Sequence, residues 1–433
     1  MGEGGGSDAG DLYDVPVEPH KKSYRVKAGR DGVLAVPAEV AATLGLEPGA
    51  EVELVVKNGL AEIRPNIHSL SRVYIEPTSR CNLACRTCIR NTWKEPLGDM
   101  EAATFDRLAG QLRRFPHLQS AMFGGFGEPT MHPDILRMLR RVKALGVRTE
   151  LVTNGTLLDD EMLAGLMESR LDRLWVSFDG GSQASFEDIR RGAGFRDIVA
   201  SLQRLKELNR PGPHRIKVGI AFVVMKTNIG ELRHLDRLIR LAGASFVSVT
   251  NVMPYSAEME REMLCSAALS LETFSPASGT TEISLPRLDV NELTRDAVFS
   301  LVKGHGRLNL MGTPLHAETR SCRFIKGRCT FVRWDGKVSP CMGLLHSHTA
   351  FLHRTERTIE AYLVGDVREG DLFDIWGSRE YRNFREKVDA FDFSPCHICG
   401  GCSDIDANKE DCSGSAFPAC GGCLWAQSII QCP

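Results

Sequence analysis

Between about Ser71 and Arg287 the chain alternates strand-like and helix-like stretches, and this alternation restricts the possible folds more than any other feature. The runs RVYIEP, QSAMFG, RTELVT, RLWVSF, IKVGIAFVV and SFVSVTNV are rich in β-branched and aromatic residues. Amphipathic runs such as PDILRMLRRVKALG and FRDIVASLQRLKELN separate them, with apolar positions at three- and four-residue steps. Six such repeats predict an α/β core over residues 70–287, either a partial (β/α)6 barrel or a doubly wound sheet. Sheets of this kind bind ligands at the carboxyl ends of their strands. The polar and glycine-rich motifs sit at those ends: a cysteine loop after VYIEP, GGFGEP after AMF, Asn154-Gly155 after ELVT, Asp179-Gly180-Gly181 after WVSF. One shared site accounts for that placement.

The first of these loops, SRCNLACRTCIRNTW, places Cys81, Cys85 and Cys88 within eight residues and has no fourth thiol. Structural zinc takes four ligands and disulfides take pairs, so the triplet calls for another explanation. The chain has 433 residues and fourteen cysteines, ten of them between Cys322 and Cys432. Its 53 basic and 55 acidic side chains nearly cancel, so no global field points to nucleic acid or an acidic partner. No apolar run reaches the ~18–20 residues of a membrane span. The start, MGEGGGSDAGDLYD, lacks the order of a secretory signal, and residues 1–20 read as a disordered leader. A cytoplasmic protein is therefore expected. In that compartment thiols stay reduced, which favours metal or iron–sulfur ligation over disulfides. Residues 288–316 read as a linker or helix. Residues 317–433 are loop-rich, and clusters are the expected staples of such a region.

The spacing of Cys81, Cys85 and Cys88, followed by GGFGEP after the second strand, resembles the radical S-adenosylmethionine superfamily. The resemblance implies that the three thiolates hold three irons of a [4Fe–4S] cube and leave the fourth iron to the methionine amino and carboxylate groups. One electron then cleaves S-adenosylmethionine, and the resulting 5′-deoxyadenosyl radical takes hydrogen from substrate. Gly124, Gly125 and Gly127 would let the backbone approach the cofactor, with Glu128 fixing the loop. Asn154 and Ser177 would meet ribose or carboxylate, and Arg190 in FEDIRRG would pair with the methionine carboxylate. An electron donor such as ferredoxin or flavodoxin is also implied.

The C-terminal cysteines resemble a SPASM-type auxiliary cluster domain. CTFVRWDGKVSPCMG opens it with Cys329 and Cys341 around a turn at Asp335-Gly336; Cys322 precedes it, and CHICGGC supplies Cys396, Cys399 and Cys402. Cys412, Cys420, Cys423 and Cys432 follow. Ten thiols suffice for one or two auxiliary [4Fe–4S] clusters. Their spacing departs from the commonest pattern, so the distribution of ligands stays open, and a zinc ribbon is the alternative. Cys265, standing alone, is expected to be a small buried residue.

Residues 21–66 resemble the AbrB/SpoVT swapped-hairpin domain: short strands at Tyr24–Val26 and Val33–Val36, a helix opened by Pro37, and a hairpin at Asn58-Gly59. Such domains dimerise and often bind DNA. Here the helix PAEVAATLG carries no cation, so a module for homodimerisation or partner docking is expected rather than a DNA complex. Together with the flanks IRNTWKEPLGDM and CGGCLWAQSIIQCP, this module resembles radical enzymes that mature tungsten-containing aldehyde ferredoxin oxidoreductases. A client protein or peptide is the implied substrate. The alternatives are a peptide-crosslinking radical enzyme and, in another class, an AbrB-type redox regulator of DNA.

Overall fold

The structure is a computed structural model and describes residues 26–27, 29–44, 52–57, 60–210, 214–265, 282–285, 307–310, 313–314, 322–394, 396, 406–427 and 429–432. The expected leader, most of the 288–316 linker, Tyr24, Asn58-Gly59, Cys399 and Cys402 lie outside these residues. The chain divides into two compact units, residues 1–66 and residues 67–433.

In the first unit, α1 (Ala38–Leu44) starts directly after Pro37, whose fixed φ suits the entry to a helix. Strand β1 (Val52–Lys57) pairs antiparallel with β2 (Leu60–Pro65), with Lys57 opposite Leu60. The strand expected at Val33–Val36 does not form, and only Leu34 makes a single bridge. A tight turn closes there instead, with the Gly29 N–H bonding the Val33 carbonyl at 2.8 Å. It leaves Val33 and Leu34 exposed, without the packing that would favour a strand.

All six expected strands of the second unit form: β3 (Arg72–Ile75), β4 (Ser120–Phe123), β5 (Arg148–Thr153), β6 (Arg173–Ser177), β7 (Lys217–Val224) and β8 (Ala244–Asn251). They pair in chain order and all in parallel. The covering helices are α2 (Ala102–Gln111), α3 (Ile135–Lys143), α4 (Asp160–Glu168), α5 (Gln183–Ile189), α6 (Phe195–Leu208) and α7 (Leu235–Ala242); α8 (Ala257–Glu262) follows β8. Helix α3 illustrates why these form. Ile135, Met138, Leu139 and Val142 are buried along one stripe while Arg140, Arg141 and Lys143 stay on its polar side. Helix α4 begins at Asp159, whose carboxylate accepts from the Met162 N–H at 2.8 Å. Helix α7 ends at Gly243 in the left-handed conformation, φ 63°.

A small sheet of β9 (Glu282–Leu285), β10 (Arg307–Leu310) and β11 (Thr313–Pro314) precedes the cysteine-rich segment. That segment contains α9 (Arg323–Lys326), β12 (Cys329–Val332), β13 (Lys337–Ser339), the hairpin β14 (His348–Leu352) and β15 (Thr355–Ile359), β16 (Gly365–Asp366), α10 (Leu372–Gly377) and α11 (Arg379–Ala390). It is not folded separately from the barrel strands. Strand β12 lies parallel to β3, placing Cys329 opposite Arg72 and Val332 opposite Ile75; β13 and β16 continue outward. The result is a nine-stranded sheet in the order β16-β13-β12-β3-β4-β5-β6-β7-β8. Packing crosses the same junction, with the Tyr74 ring stacked on Phe331 at 4.2 Å. Arg385 on α11 is fully buried with its guanidinium 3.8 Å above the Trp376 ring, and burial pulls its pKa down to about 10.

Candidate active site at the strand ends

The cysteine loop leaves β3 through Glu76 and is held on two sides. Toward α5, the Ala84 and Arg86 N–H groups bond the carbonyls of Arg191 and Ile189 at 3.2 and 2.9 Å. The Arg86 guanidinium adds ion pairs to Asp188 and Glu258. Toward β5, the Asn154 amide reaches Asn82 at 2.9 Å and the Cys81 sulfur at 3.7 Å. Cys85 is buried, whereas Cys81 and Cys88 are half-buried. Burial pushes the Cys85 thiol up to about 11, against the nearby Arg190 guanidinium, and pushes the Cys88 thiol up as well.

The GGFGEP loop meets the cysteine loop backbone to backbone. A Cβ on Gly127 would stand 2.1 Å from the Thr78 carbonyl oxygen, and the Glu128 N–H bonds the Arg80 carbonyl at 2.7 Å. Gly125 has φ +121° and abuts the Glu76 side chain, so no other residue fits that position without strain. Glu128 is turned into the fold: it accepts from the Thr130 and Thr153 hydroxyls and from the Asn154 N–H at 2.6–2.7 Å. Burial raises its pKa against these bonds. Ser177 sits half-buried at the end of β6. Arg190 forms a buried ion pair with Asp179 at 2.9 Å and lies beside Cys85 and Cys88, with its Nε lacking a hydrogen-bond partner. Burial pushes the Asp179 carboxyl up, and the guanidinium opposes it.

Above this floor is a network that sequence reasoning missed. His346 faces Glu76 with Nε2 and Glu95 with Nδ1, both at 2.8 Å. The Phe126 N–H of the glycine loop bonds the other oxygen of Glu76 at 3.1 Å. Arg333 bonds Glu95 at 2.8 Å and is clasped by Asp335. Trp93, just beyond the cysteine loop, stacks on the His346 ring at 4.0 Å. The one available signal was Glu76 itself, a charged residue directly after the buried run Val73–Ile75.

A second group of thiols lies in the C-terminal segment. Cys322, Cys341, Cys420 and Cys423 line one pocket, and Cys329 and Cys432 are packed close by. Burial pushes Cys322 and Cys329 up to about 12. Cys396 is buried and the Cys412 thiol donates to Ser394 Oγ at 3.1 Å. Cys265 departs from its expected burial: it is half-exposed, just past α8. Among the described residues, no three His, Cys, Asp or Glu side chains converge on one metal-ion position. A cube instead spreads its thiolates over separate irons.

Residues 75–239 match the Radical SAM superfamily, and residues 322–403 match an iron–sulfur cluster-binding domain, SPASM. The chain belongs to the radical S-adenosylmethionine superfamily and is a radical S-adenosylmethionine enzyme, with a [4Fe–4S] cluster, S-adenosylmethionine and auxiliary iron–sulfur centres as its cofactors. It is 31% identical over 368 residues to the tungsten-containing aldehyde ferredoxin oxidoreductase cofactor-modifying protein of Pyrococcus furiosus, covering 83% of this chain and 96% of that one. The PqqA peptide cyclase of Gluconobacter oxydans is 25% identical, over 76% of this chain and 84% of its own. The crystal structure of Streptococcus suis SuiB bound to precursor peptide SuiA shares the fold, with a TM-score of 0.50, 17% identity and coverage of 77% and 72%.

The residues present suit these cofactors. Three thiols on one loop offer soft donors for iron, and a buried guanidinium with an unpartnered Nε stands beside two of them. Among the described residues, no helix is long and apolar enough to cross a membrane.

Proposed function

We propose that the chain matures the cofactor of a tungsten-containing aldehyde ferredoxin oxidoreductase by radical chemistry at the carboxyl end of its sheet. The likeness to the Pyrococcus furiosus protein carries this reading, because it runs through both the barrel strands and the cysteine-rich segment. In the proposed site, Cys81, Cys85 and Cys88 hold the catalytic cube. Gly124, Gly125 and Gly127 cradle S-adenosylmethionine, Asn154 and Ser177 border it, and Arg190 offers its free Nε toward a carboxylate. When bound, the cube supplies the electron that cleaves S-adenosylmethionine to the 5′-deoxyadenosyl radical. The protein's own part is placement. Glu128 locks the glycine loop to β5, Asp179 orients Arg190, and Asn154 steadies the cysteine loop.

For the auxiliary centres, we place one cube among Cys322, Cys329, Cys341, Cys420, Cys423 and Cys432, which supply more thiols than the four it needs. Cys396, Cys399, Cys402 and Cys412 are the proposed ligands of a second. The test is to express the client oxidoreductase with and without this chain and to measure aldehyde oxidation and tungsten content. Activity that requires the chain is expected. Full activity and full tungsten loading without it would sink the proposal.

A further inference from the structure

His346 occupies a position that neither the superfamily match nor the cysteine pattern calls attention to. Both ring nitrogens face carboxylate oxygens at 2.8 Å, Glu76 on one side and Glu95 on the other. Two hydrogen bonds to ionised carboxylates need two N–H groups, which only the imidazolium has. The ring is 1% exposed and has Trp93 stacked on it and the Phe126 edge 6.0 Å away. An indole face stabilises a cation placed over it.

The partners of this ring matter more than the ring. Glu76 holds the glycine loop through the Phe126 N–H and fills the space beside Gly125. Glu95 and Trp93 belong to the segment leaving the cysteine loop. Glu95 also accepts from the Ser347 N–H at 2.9 Å and from Arg333 at the end of β12. One buried cation thus joins three pieces of the chain: the glycine loop, the exit of the cysteine loop and the C-terminal iron–sulfur segment.

We propose that His346, as the imidazolium, is a positioning residue for S-adenosylmethionine cleavage, holding Glu76 and through it the glycine loop in the cofactor-binding shape. The inference rests on the reading that Gly124–Gly127 cradle S-adenosylmethionine. The charged groups that face the ring are Glu76, Glu95 and Arg333, with Asp335 behind Arg333 and His348 bonding the His346 carbonyl from β14. Burial works against the charge on His346, but Glu76 and Glu95 raise its pKa above the ordinary histidine value, and Arg333 opposes them. The sign follows from linkage. The imidazolium contact is present at low and neutral pH and is lost as pH rises through that raised pKa. Once the ring is neutral, one of the two carboxylates faces a nitrogen lone pair, and the glycine loop loses its anchor.

The test uses the full chain with its clusters reconstituted anaerobically. With dithionite as reductant and no client, 5′-deoxyadenosine formation is measured against S-adenosylmethionine concentration from about pH 6 to about pH 9. The expected wild-type KM rises along an alkaline limb. His346→Gln should raise KM on the order of 10-fold at neutral pH and abolish the limb. Adding Glu76→Gln to it should recover part of the loss by removing the stranded charge. Glu95→Gln removes one carboxylate that raises the histidine pKa, so its limb should move to lower pH. This variant also decides the matter if His346→Gln does not fold. Iron content and cluster absorbance, read on every variant, separate loss of positioning from loss of assembly. A wild-type limb that persists in His346→Gln, or does not move in Glu95→Gln, overturns the proposal alone. Wild-type protein that makes no 5′-deoxyadenosine overturns this proposal together with the reading of the site.

Discussion

The two groups of thiols differ in their surroundings more than in their chemistry. Cys81, Cys85 and Cys88 stand on a loop braced by polar groups: Asn154, Arg86 and the Asp179–Arg190 pair. Two of the three are half-buried. Cys322, Cys341 and Cys420 are buried around a cavity whose walls include Leu344, Ile359 and Trp425. Burial raises Cys341 and Cys420 well above the ordinary thiol value, with the neighbouring thiols adding to the effect. A metal must displace those protons, as it must at Cys85 and Cys88, where burial also raises the thiols. A polar, partly open loop suits a centre that exchanges a small ligand. A largely apolar pocket suits one that stays intact.

That contrast can be broken experimentally. The largest expected effect is from replacing Cys81, Cys85 and Cys88 together with Ala: 5′-deoxyadenosine formation should fall to the uncatalysed background while iron in the C-terminal segment persists. Residual turnover at the wild-type rate would contradict the assignment of the open loop. Next comes Arg190→Ala. It leaves Asp179 buried and unpaired, and denaturant unfolding should register a loss of about 3–5 kcal/mol. An unchanged midpoint would mean that the pair is not the brace described. The smallest effect is expected from replacing Cys341, Cys420 and Cys423 together with Ser, which leaves fewer than four thiols in that group and should remove about four irons per chain while S-adenosylmethionine cleavage stays measurable. Cys265→Ser, outside both groups, is the control whose iron count should stay at the wild-type value.

The strands and most covering helices were legible because their signals are local: β-branched runs, three- and four-residue periodicity, and a glycine or proline at the ends. The cysteine loop stood out for the same reason, since its three thiols fall within eight residues. What was not legible depends on distant partners. His346 meets Glu76 across 270 positions and Glu95 across 251, and no composition rule reports that meeting. The pairing of β12 with β3 was hidden likewise. CTFV reads as a hairpin arm, and nothing in it states that its other edge extends the parallel sheet beyond β3. Val33–Val36 failed in the opposite direction, since a good local strand signal was overridden where only a single bridge was available.

The same β3–β12 pairing constrains how the chain can be made. Strand β3 emerges early in synthesis, yet the strand that covers its outer edge follows roughly 260 residues later, a wait of about 13–50 s at ordinary elongation rates. Throughout that interval the strand that leads into the cysteine loop has one edge unzipped, which is the condition that favours wrong pairings. Late closure also leaves the cysteine loop reachable from the side that Arg333 and His346 will later occupy.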